Sequence, residues 1–139
     1  MNGSSEARAV SGAPRMLLRL ESVAALAGAI GAYYTLNGQW PLFAVLFLVP
    51  DLSMLAYLAG AKIGGICYNS AHSYLGPAAL VVLGLTVDGH LPLEVACIWA
   101  AHVGFDRMLG YGLKYGTFSD THLGRVGARR IARTTETYA

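Results

Sequence analysis

His102, Asp106 and Arg107 fall within six positions at the end of an apolar run, Leu93 to Ala101. At the inner end of a membrane-crossing helix such side chains need partners or water, because an unpaired charge in hydrocarbon costs about 2.5 kcal/mol or more. His102 and Asp106, four apart, share one helix face, and Asn69 and His72, three apart, share another. Asp51, inside a further apolar run, adds a second carboxylate. Apolar burial favours the neutral form of such a carboxyl and a neighbouring histidine or Arg107 favours the charged one, a balance suited to general acid and base chemistry. Two histidines and two carboxylates from three helices are also a donor set for a transition metal.

Four apolar runs must position these groups. The first spans Leu17 to Leu36, and about 20 residues suffice to cross the hydrocarbon. Asn37 and Gly38 end it. The second, residues 40–61, opens on Trp40 and Pro41, which suit an interface and a first helical turn, and should kink at Pro50. Lys62, Gly64 and Gly65 form a turn before the third run, residues 66–87, whose start holds Tyr68, Asn69, His72, Ser73 and Tyr74. Asp88, Gly89, His90 and Pro92 lead to the fourth, residues 93–111. Short connections join antiparallel neighbours, so the expected fold is an all-α, antiparallel four-helix transmembrane bundle over residues 17–115. A polar, disordered lead (1–16) precedes it and a basic cytoplasmic tail (116–139) follows.

Composition agrees with a membrane class. The 139 residues are 55% hydrophobic and 13% charged, against roughly 25% charged in an average soluble domain. The net charge of +2 is not laid out along an aromatic-interleaved face, so nucleic acid is not expected as a partner. Cys67 and Cys97 have no metal-finger spacing, and the lead does not resemble a cleavable signal peptide. All ten Lys and Arg residues lie before or at the start of the first run (Arg8, Arg15, Arg19), at Lys62, or from Arg107 onward; the first and third connections have none. The positive-inside rule therefore puts both termini and the middle turn in the cytoplasm, in a multi-pass protein of the inner (cytoplasmic) membrane.

Orientation gives depth. At about 1.5 Å per residue, Asp51 and His102 lie roughly 13 Å in from the inner surface, and His72 and Asp106 roughly 9 and 8 Å in. Glu21 and Arg19 stand at the same end of the first run. Inward-pointing faces would then form a polar pocket open to the cytoplasm. A purely structural role is the competing explanation, with interhelical hydrogen bonds worth about 0.6 kcal/mol on average. Gly28, Gly31, Gly60 and Gly64 have the spacing of ordinary helix packing, and Tyr33, Tyr34 and Trp40 that of an interface belt.

The segments PDLSMLAYLAG, YNSAH and HVGFDRMLGYGLKYGTFSDTHLGRVG together resemble a family of small bacterial integral membrane proteins known only as a domain of unknown function. The resemblance covers about Leu17 to Gly127 and implies four helices. It marks Pro50, Asp51, Ser53, Met54, Tyr68, Asn69, His72, His102, Asp106 and Arg107. Gly116 stands where a proline is expected, and the loop after it is one residue short. The resemblance implies no activity.

Three functions follow. In the first, an isomerase or cyclase without cofactor or metal acts on a lipophilic small molecule taken from the bilayer: Asp51, His72, His102 and Asp106 are catalytic, and Tyr68, Asn69, Arg107 and Tyr111 bind substrate. No nucleotide-binding glycine loop or serine or cysteine nucleophile motif is present. In the second, the same histidines and carboxylates hold a metal or haem. In the third, they relay protons or hold a ligand in a transporter or binding subunit, which with four spans requires a homodimer. Residues 111–124 would be a lid over the pocket mouth, or a tail whose Arg125, Arg129 and Arg130 meet anionic lipid.

Overall fold

The computed structural model describes Val10, residues 12–114 and residues 120–125. The described chain is helical apart from one small hairpin. Helix α1 is Ala13–Thr35, α2 is Trp40–Phe47, a 3₁₀ helix runs Val49–Ala59, α3 is Ala61–Ala71, α4 is Leu75–Thr86 and α5 is His90–Leu109. Strands β1 (Asp120–Thr121) and β2 (Gly124–Arg125) pair antiparallel. Asn37 and Asp88 reverse the chain with φ of 56° and 51°, the left-handed conformation that asparagine and aspartate tolerate.

Two helices, α1 and the continuous stretch Trp40–Ala59, are long and apolar enough to cross a membrane. Helix α1 begins at Ala13, inside the stretch expected to be a disordered lead, because Pro14 suits a first turn. The second run does not kink and resume as an α-helix at Pro50. It tightens there into a 3₁₀ helix, since proline has no N–H to give and its ring crowds the carbonyl four residues back.

The third run departs further from a single helix: it breaks at His72–Tyr74 into α3 and α4. Carbonyls freed by such a break in an apolar setting need new donors. Helix α5 supplies them. Trp99 Nε1 donates to Ala71 O at 2.5 Å and Arg107 Nη2 to His72 O at 3.4 Å, while Ser73 Oγ takes Ser70 O at 3.1 Å.

Helix α5 is the centre of the fold, packed along α1 and α4 with α2 beside it, and the 3₁₀ helix packs on α3. Its buried face carries Ala96, Ile98, Ala101, His102, Val103 and Gly104. Gly104 is the point of closest approach: a Cβ there would stand 3.0 Å from Leu26 N and 3.1 Å from Ser22 O, both backbone atoms of α1. Gly28 and Gly31, expected to pack helices, face open space. Tyr33 is likewise not part of an interface belt. It is fully buried, donates to Gln39 O at 2.7 Å and meets Trp40 and Phe43 edge-on, whereas Tyr34 is exposed.

Candidate metal centre

Four side chains from three segments converge at the break between α3 and α4. His72 caps the end of α3 and is buried; its Nδ1 lies 3.0 Å from Tyr68 O. A carbonyl only accepts, so Nδ1 carries the hydrogen and the Nε2 lone pair faces inward. His102, buried on α5, brings its own Nε2 to 3.1 Å from that of His72. Asp51 Oδ1, from the first turn of the 3₁₀ helix, is 3.5 Å from each Nε2. Asp106 Oδ2, one turn beyond His102, lies 3.3 Å from His72 Nε2 and 3.8 Å from His102 Nε2.

Two imidazole lone pairs cannot face each other at this distance beside two carboxylates unless a proton or cation lies between them. A metal held by nitrogen and oxygen donors at about 2.0–2.2 Å in a tetrahedron separates those donors by about 3.3–3.6 Å. The five nitrogen–nitrogen and nitrogen–oxygen separations just given bracket that range, and all four donor atoms lie within 4.8 Å of one another.

The surroundings hold the donors in place. The bond from His72 Nδ1–H to a backbone carbonyl is the outer contact that orients metal-binding histidines. Tyr68 stacks on the His72 ring at 3.8 Å and donates to Asp106 Oδ2 at 3.4 Å. Phe47 meets His102 edge-on at 5.2 Å; His102 Nδ1 is buried with no partner among the described residues, so packing and the Nε2 contacts orient that ring. Asp51 is the open corner, its side chain 38% exposed. An apolar cavity of about 330 Å³ runs beside these segments, and its wall includes Pro50 and Ala71, the chain neighbours of Asp51 and His72.

The family model for a domain of unknown function, DUF4260, matches residues 15–126. The chain belongs to this family. Comparison with curated proteins and with solved structures gave no match. The DUF4260 match covers every converging residue, and the family description names no activity.

The remaining residues assigned to substrate binding in the DUF4260 segment lie around the cluster and not in it. Arg107 reaches His72 O and stacks over Tyr74, 4.7 Å from the ring centre. Tyr111 is 42% exposed at the end of α5. Asn69 faces the loop after α5: its Nδ2 donates to Lys114 O at 2.9 Å and its Oδ1 accepts from Lys114 N at 2.7 Å. This two-way clip sets the Lys114 ammonium 4.6 Å over the Tyr68 ring, against the inner wall of the cluster. Burial lowers the Lys114 pKa, with Asp106 acting in the opposite sense. Residues 115–119, the Asp120 and Arg125 side chains, and Arg129, Arg130 and Arg133 lie outside the described residues.

The loop is latched by a residue that sequence reasoning left without a role. Leu113 N donates to His122 Nδ1 at 2.8 Å and His122 N donates back to Leu113 O at 3.0 Å. Gly112 is the signal for it, since a Cβ there would meet His122 Nδ1 at 2.6 Å. Burial lowers the His122 pKa, Arg107 lowers it further, and the Leu113 bond raises it. With the docked value below the free value of about 6.5, the undocked loop binds more protons, so docking is strongest above about pH 6.5 and weakens below it. Protonation also removes the acceptor for Leu113 N–H. Hydrogen exchange at Leu113 and Lys114, corrected for intrinsic rates, should therefore accelerate on acidification. His122→Gln, which does not titrate, should flatten that dependence.

Proposed function

We propose that this protein crosses the inner membrane four times, with both termini in the cytoplasm, and that Asp51, His72, His102 and Asp106 hold one divalent transition-metal ion in the cytoplasmic half. The convergence of four donor atoms within 4.8 Å of one another, two of them imidazole nitrogens, carries the metal reading. Two imidazoles with two carboxylates suit zinc or iron(II) better than magnesium or calcium, which prefer all-oxygen shells.

Support for the membrane comes from unpacked apolar surface. Large side chains such as Leu17, Leu20, Val45, Leu48, Leu52, Leu58, Val82 and Leu85 are all more than half exposed, far more than a water-facing monomer tolerates. The α3–α4 pair serves as the third, broken crossing and α5 as the fourth. Reporter fusions at Asn37 and Asp88 should behave as outside, and fusions at Lys62 and the C-terminus as inside. An outside C-terminus would overturn the orientation.

Held by His72, His102 and Asp106, with the exposed Asp51 corner giving way to substrate, such a metal would supply Lewis-acid polarisation of a substrate oxygen, and the apolar cavity nearby suits entry of a lipophilic small molecule. The 3.1 Å contact between the two Nε2 atoms favours a second reading, an isomerase or cyclase that keeps a shared proton there and needs no metal. Elemental analysis of protein purified without chelator separates the two. Stoichiometric zinc or iron is the expected result, and metal-free protein that still converts a lipid in cell extracts would establish the proton reading instead.

A further inference from the structure

A second cavity, of about 260 Å³, lies between α1, α5 and the docked loop, lined by Leu18, Glu21, Ser22, Ala25, Tyr74, Arg107, His122 and Leu123. Three hydrogen-bond donors belong to its wall. Arg107 is part-buried, lies over the Tyr74 ring and donates to His72 O; among the described residues no carboxylate forms an ion pair with it. The Tyr74 hydroxyl is buried with no hydrogen-bond partner among the described residues. His122 accepts from Leu113 at Nδ1, which in the neutral ring leaves its Nε2–H as a donor. The buried Tyr74 hydroxyl is poorly explained by packing, because an unmatched buried group costs about 1–3 kcal/mol, and beside it stands a part-buried guanidinium with no counter-charge among the described residues.

We propose that this cavity binds a phosphate group, with Arg107, Tyr74 and His122 as its donors. Arginine matches phosphate oxygens with paired N–H groups, and a charge-assisted bond to phosphate is about twice as strong as a neutral one. Glu21, exposed on the rim, would repel a bare anion but would meet a hydroxyl or ammonium next to the phosphate, as in a polar lipid headgroup. At this size the cavity holds a phosphate ester and not a whole lipid. The site deepens the reading of a lipophilic substrate, on which it rests, by assigning that substrate a phosphate. Arg107 also ties the site to the metal cluster, since it holds the carbonyl of the residue whose Nε2 faces the centre.

The test uses the full chain, first in detergent with inorganic phosphate followed by calorimetry, then in nanodiscs of phosphatidylcholine with and without phosphatidylglycerol, followed by thermal stability. Arg107→Gln should weaken binding about tenfold or more, and Tyr74→Phe, which keeps the ring beneath the guanidinium, about threefold to tenfold. Metal content measured on the same samples reports the centre separately, so loss of one reading is distinguishable from loss of the other. Phosphate binding in detergent that both variants weaken supports a free phosphate ligand. Stabilisation only by phosphatidylglycerol, weakened in both variants, supports a headgroup. No binding in either medium, or binding unchanged in both variants, overturns the proposal.

Discussion

His72→Ala is expected to leave the purified protein without bound metal, with affinity lowered about 100-fold or more, because it deletes one of four donors outright, whereas loss of a hydrogen bond that merely orients a donor typically costs about 10–100-fold. The other three donors remain, His102 and Asp106 from one helix and Asp51 from the open corner, and among the described residues no further His, Cys, Asp or Glu joins them. Asp51→Asn should also lower occupancy, since an amide oxygen is a neutral and weaker donor. Tyr68→Phe provides the graded control. It removes only the 3.4 Å contact to Asp106 and keeps the ring stacked on His72, so metal should stay bound at about tenfold lower affinity or better. Elemental analysis after dialysis and the visible spectrum of cobalt-substituted protein give the measurement. Wild-type occupancy in both His72→Ala and Asp51→Asn would rule out the metal centre.

Gly104→Leu should separate α1 from α5 and abolish the cluster with it. The added atoms would press on Leu26 N and Ser22 O, which cannot move without shifting the whole of α1. Overpacking of a tight contact costs about 1–3 kcal/mol and more where backbone must move. His102 and Asp106 flank this glycine on α5, so bundle stability and metal occupancy should fall together. Gly104→Ala should show a milder form of the same loss. Gly28→Ala and Gly31→Ala, where an added Cβ meets nothing within 4 Å, should be neutral in detergent unfolding. Equal tolerance at Gly104 and Gly28 would mean that α1 and α5 do not pack as described.

The same contrast shows what local pattern cannot reach. Small-residue spacing pointed to Gly28, Gly31, Gly60 and Gly64, of which only Gly64 is closely packed, against the Tyr57 ring; the glycine that brings α1 and α5 together is Gly104, because close approach depends on which faces meet. Lys114, His122 and Tyr74 acquired partners only through contacts between residues distant in sequence, and no periodicity encodes those.

The sequence by itself determined the class, the helical content and the supply of chemistry. Apolar runs separated by turn residues can satisfy their backbone in hydrocarbon only as helices, and a four-residue spacing puts His102 and Asp106 on one face whatever surrounds them. The depths reckoned from a constant α-helical rise are not among these, since Val49–Ala59 is a 3₁₀ helix with a longer rise per residue and the third run breaks at His72. The tertiary structure alone decided that the third run breaks at His72, since the break survives only where Trp99 and Arg107 of another helix take the freed carbonyls. That break turns the His72 ring until its Nε2 meets that of His102, a distance set by helix crossing and side-chain rotation, neither of which one-dimensional spacing contains.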